Sequence, residues 1–118
     1  MSRMRFDLDE PLIPDDHALH GLVDPATMAA LEQEWKAAKV DQWCAVAALR
    51  QAAAALRSAT GRPNAAPIEF VLTDAEHKAT DSNRVRRALT AYHQAATLYE
   101  GVRVHLADLR NRATAPDR

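Results

Sequence analysis

One cysteine, three glycines and six aromatic residues are all that this 118-residue chain contains of the residue types that build most small enzymes and stapled domains. A lone Cys44 excludes an intrachain disulfide framework and any multi-cysteine zinc or iron–sulfur site. It fits a reducing, cytoplasmic setting, in which the thiol is expected to be a small buried hydrophobe. Scarce glycine removes phosphate-cradling loops and nucleophile elbows, since no glycine-rich loop precedes a helix and no Gly-x-Ser-x-Gly occurs. Aromatics at 5% mean that the 47% apolar content is largely alanine, so the core is thin for its length. No apolar run approaches the roughly 20 residues needed to cross a bilayer, and the N-terminus MSRMRFDLDEPLIPDD has acids and prolines where a secretory signal needs an apolar stretch. The expected protein is one soluble domain with no membrane association.

What the chain does have is alanine, concentrated in one segment. Thirteen of the thirty-four residues from Ala26 to Ala59 are alanine, with no glycine or proline among them. Asp24 as N-cap, Pro25 at the first helical position and Gly61 with Pro63 as the stop bound a helix over 25–60. Met28, Leu31, Trp35, Ala38, Trp43, Val46, Leu49, Ala53 and Leu56 return every three or four residues apart from a skip at Gln42, and form its main stripe. Ala37, Val40, Cys44, Ala47, Ala48 and Ala55 fall outside that stripe, so the helix is apolar or small around most of its circumference. Such a surface needs further helices to cover it.

Residues 1–23 carry Pro11, Pro14, Gly21 and apolar residues with no helical period, and they read as an extended acidic arm that docks on this chain's helices or a neighbour's. Residues 61–72 are a connector in which IEFVL is a short strand, an extended segment or the opening turn of a helix beginning at Pro67. Thr73 and Glu76 form a capping box, which predicts a second helix over 74–112, with the expected place for a break at residues 80–83 and Asp81 or Ser82 capping the restart. Val85, Leu89, Tyr92, Ala96, Tyr99, Val102, Leu106 and Leu109 form its stripe. Gly101 inside it suggests close approach by another backbone. Residues 113–118 are expected to fray. The sequence thus predicts a helical domain over 24–112: an all-α, antiparallel hairpin of two long helices that completes a helical bundle by self-association or with a partner chain.

Candidate chemistry is sparse. Asp15, Asp16, His17 and His20 offer a metal half-site without further ligands at a supporting spacing. His93 and Glu100 lie seven residues apart on one helical face, yet no Glu-x-x-His accompanies them. No cofactor or metal is expected, and the chain reads as a non-enzyme. Its charge is uneven despite a net charge of −1: residues 1–24 sum to −4 (Asp7, Asp9, Glu10, Asp15, Asp16 and Asp24 against Arg3 and Arg5). Residues 84–112 sum to +4 (Arg84, Arg86, Arg87, Arg103, Arg110 and Arg112 against Glu100 and Asp108). The functional expectation is a helical structural or adaptor subunit that acts through protein–protein association, as a homodimer or part of a larger assembly. Its interface residues are Trp35, Trp43, Ala47, Ala48 and Ala55, with the two tryptophans weighed equally as partner anchors and as core. The alternative is a nucleic-acid-associated subunit of a nucleoprotein complex that uses Arg84, Arg86, Arg87 and Arg103.

Overall fold

Helix α1 runs from Pro25 to Thr60, and both of its ends follow from local chemistry. Asp24 caps the start: its carboxylate accepts from the Thr27 backbone N–H at 3.0 Å and from the Thr27 hydroxyl at 2.7 Å. Gly61 ends it at φ +75°, a left-handed conformation in which an added Cβ is strained. The Gly61 and Arg62 amides then donate back to the Ser58 and Arg57 carbonyls, closing a Schellman motif. In a computed structural model, residues 10–13, 23–63 and 65–114 are described, and their regular elements are three α-helices: α1, α2 at Ile68–Lys78 and α3 at Asn83–Thr114. The described residues are all-α. Most of the acidic arm, the Asp15, Asp16, His17, His20 cluster and residues 115–118 lie outside them.

Three places define the second half of the chain. First, α2 begins at Ile68, so that of the three readings open for IEFVL it is the opening turn of a helix, with Pro67 preceding it and accepting backbone N–H bonds from Phe70 and Val71. The Thr73–Glu76 capping box is therefore not a cap. The Thr73 hydroxyl instead bonds back to the Glu69 carbonyl one turn earlier, the alternative open to any mid-helix threonine. Second, α2 ends at Lys78 and α3 starts at Asn83, where the Ser82 hydroxyl caps the new helix by accepting from the Val85 amide at 3.2 Å. Third, α3 continues to Thr114, because Ala113 is buried rather than frayed.

The chain forms two packing units. In the first, residues 1–44 and 101–118, the start of α1 meets the end of α3 around Leu31, Trp35, Ala38, Leu106, Leu109 and Ala113. Leu12, Ile13 and Val23 complete that cluster, so a piece of the arm is part of the core. In the second unit, residues 45–100, Leu56 of α1, Val71 and Ala75 of α2 and Val85 of α3 are buried together. Ala59, Ala66, Ala79 and Ala88 pack around them, small side chains that let the helices approach closely. Two of its polar ties are helix-end contacts: Lys78 Nζ donates to the Thr60 carbonyl at the end of α1, and Arg86 donates to the Ala79 carbonyl at the end of α2. Cations there complement the partial negative charge of a helix C-terminus.

Among the described residues Gly101 does not mark a close backbone approach: a Cβ placed there meets nothing within 4 Å. Gly101→Ala is accordingly expected to raise stability by about 1 kcal/mol, by restricting the unfolded chain and raising helix propensity. Gly61→Ala is expected to lower it by roughly 1 kcal/mol, because of its positive φ. Urea denaturation followed by circular dichroism distinguishes the two signs.

Candidate interaction surface

The buried face of α1 keeps a strict alternation of steps. Leu31, Trp35, Ala38, Gln42, Ala45, Leu49, Ala52 and Leu56 succeed one another by four and three residues, and every one is buried or half-buried. The expected stripe skipped Gln42 and passed through Trp43. The observed stripe runs through Gln42 and Ala45, which leaves Trp43 outside it and 54% exposed. At 100° per residue, Val40, Cys44, Ala47, Gln51, Ala54 and Ala55 then gather on the opposite side of the helix with Trp43 at their margin. Val40, Cys44, Ala47, Ala54 and Ala55 are all exposed, and Ala48 is half-buried. Cys44 is thus not the buried hydrophobe that its apolar neighbours suggested, because those neighbours are on the outward face themselves. An apolar strip that includes a tryptophan and a valine, each about half exposed, is the kind of surface that marks an association site.

The two tryptophans have separated. Trp35 belongs to the core, 5% exposed, and its indole N–H donates to the Glu10 carbonyl at 2.8 Å. Lys39 Nζ lies 5.6 Å from its ring centroid and the Arg110 guanidinium 4.8 Å, cations held over an electron-rich face. Lys39 is itself buried and reaches the Glu10 carboxylate at 2.6 Å. Arg110 reaches the other Glu10 oxygen at 3.3 Å. Sequence reading missed this cluster, although Lys39 stands four residues after Trp35, the spacing that places a lysine over a preceding aromatic.

Burial alone raises the Glu10 pKa, but the hydrogen bonds and charges of Lys39 and Arg110 outweigh it and hold the group below its ordinary value of 4.5. Asp24 is lowered by the Thr27 backbone and side-chain hydrogen bonds, and Asp74 by those from Lys78 and Arg62. For each of the three, the folded pKa is below the unfolded one, so its contribution is fully present above the ordinary carboxylate range. It is lost as pH falls through the lowered value. The thermal midpoint is expected to drop below about pH 4, and Glu10→Gln is expected to shrink that drop.

The four arginines do not gather on one face. Arg84 bonds the Ser58 hydroxyl at 3.3 Å, Arg86 is engaged with Asn83 and the end of α2, and Arg87 and Arg103 are exposed. Successive offsets of 200° and 100° leave Arg84 and Arg87 about 60° apart with Arg86 on the far side of α3, and Arg103 lies sixteen residues further along. His93 lines an open groove of about 410 Å³ with Thr90, Gln94 and Thr97, all on one outward face of α3. Among the described residues, no three His, Cys, Asp or Glu side chains gather where a metal ion would sit, and no helix is long and apolar enough to cross a membrane. The chain matches no protein-family model, no curated protein and no solved structure.

Proposed function

We propose that the protein is a non-enzymatic structural or adaptor subunit that acts through protein–protein association, with a second copy of itself as its first partner. Two antiparallel helical hairpins would join through the outward faces of α1, giving a four-helix bundle. The observation that carries this reading is the exposed strip Val40, Trp43, Cys44, Ala47, Ala54 and Ala55, opposite a helix face already committed to this chain's own core. Alanines at the centre of such a strip let a second helix approach closely, and Trp43 supplies the anchor. Assembly is assigned to α1 rather than to the arm, because Glu10 to Ile13 engages this chain's own Trp35, Lys39 and Arg110. The nucleic-acid reading draws less support from the dispersed arginines, since a phosphate backbone would meet them one or two at a time.

Cys44 provides the test, because it lies on the strip and is exposed. Its alkylation rate is expected to fall severalfold as the protein is concentrated from roughly 1 to 100 µM, when the faces close over it. A rate independent of concentration would count against association through α1.

A further inference from the structure

Glu10, Pro11, Leu12 and Ile13 are bound much as a peptide ligand is bound. Three successive carbonyls of this segment are read by side chains fixed on the helices of the first unit. Glu10 accepts from the Trp35 indole at 2.8 Å, Pro11 from Arg110 at 2.9 Å, and Leu12 from Arg110 Nε at 2.9 Å. One acidic side chain is selected by charge, with the Glu10 carboxylate between Lys39 and Arg110. Leu12 and Ile13 enter the apolar cluster and are 3% and 9% exposed. Main-chain recognition supplies affinity and a few pockets supply selectivity, the logic by which extended peptides are captured. These polar contacts are all made between side chains of the helices and the segment, and among the described residues Val23 alone joins the apolar cluster from outside both. A separate chain that presents the same groups would satisfy them equally.

We propose that the Trp35–Lys39–Arg110 groove is a receptor for an extended segment of acidic–proline–aliphatic–aliphatic chemistry, and that the chain's own Glu10–Ile13 is its intramolecular competitor. The attached segment holds the groove through its high effective concentration. A partner segment of the same chemistry gains entry when the attached one is weakened. The groove is separate from the outward strip of α1, so it stands whether or not the chain self-associates.

The test titrates a fluorescently labelled peptide of residues 8–15, LDEPLIPD, against the full chain and follows anisotropy. Glu10→Lys sets like charge against Lys39 and Arg110 and loosens the attached segment. The peptide is expected to bind this variant at least about tenfold more tightly than the wild type. The same peptide with its Glu reversed to Lys is expected not to bind. A Glu10→Lys chain that keeps wild-type circular dichroism and does not capture the peptide overturns the proposal. If Glu10→Lys loses its helical signal, the wild-type chain decides. Saturable binding at millimolar peptide, competed by unlabelled peptide and absent for the reversed-charge peptide, supports the receptor, and its absence refutes it.

Discussion

Trp35→Ala is expected to cost about 3–5 kcal/mol, a large share of the 5–15 kcal/mol that holds a domain of this size together. The side chain is 5% exposed and lies in the apolar cluster with Leu31, Leu106 and Leu109. Removing it leaves a cavity that the neighbouring small residue, Ala38, cannot fill. It also frees the Glu10 carbonyl from its indole donor and withdraws the aromatic face beneath Lys39 and Arg110. The effects converge on one place because the arm segment, α1 and α3 all meet at this ring. Trp35→Phe separates them: it keeps most of the volume, loses the hydrogen bond, and is expected to cost only about 1–2 kcal/mol. In thermal denaturation the alanine variant is expected to melt roughly 10–25 °C below wild type. A loss below about 1 kcal/mol would mean that the first unit is not organised around Trp35.

Trp43→Glu is expected to do the opposite: leave the helices intact and abolish association. The two tryptophans are eight residues apart on one helix, yet Trp43 is 54% exposed and lies outside both buried clusters. Replacing it removes little intrachain packing, so monomer stability is expected to change by no more than about 0.5–1 kcal/mol. On a helix–helix interface the same change removes an anchor and forces a carboxylate to be desolvated. A hot-spot loss of about 2–4 kcal/mol corresponds to a dissociation constant raised roughly 30- to 1000-fold. Sedimentation velocity measures the assembly and circular dichroism the helices. A variant that loses helix content while its assembly survives would place Trp43 in the core and the interface elsewhere.

The ends of α1 were legible in the sequence because Asp24, Pro25 and Gly61 each act within a turn of the boundary they set. A helix opening at Pro67 was one of three readings of IEFVL and periodicity did not select it, because the strongest local cap signature, Thr73 and Glu76, lost to packing. Burying Val71 and Ala75 needs the preceding turn to be helical, and no side-chain cap marks that turn. The stripe of α1 was mis-set at one point for a related reason. Trp43 attracted the pattern by its bulk, whereas the period belonged to Gln42 and Ala45. That single shift decides the exposure of Trp43, whereas Cys44 lies off the main stripe in either register. The outward strip itself was foreseeable from Val40, Ala47 and Ala55, which lay off the main stripe on any register. Of the cluster around Trp35 only the Trp35–Lys39 spacing was within reach, since Glu10 is 25, 29 and 100 residues from Trp35, Lys39 and Arg110, and periodicity carries no information at such distances.

Sedimentation equilibrium over a dilution series tests association through α1 most directly. Self-association predicts a mass of twice 13.0 kDa at about 100 µM that falls toward 13.0 kDa on dilution. A mass of 13.0 kDa at every concentration, from a chain that unfolds cooperatively, would contradict it.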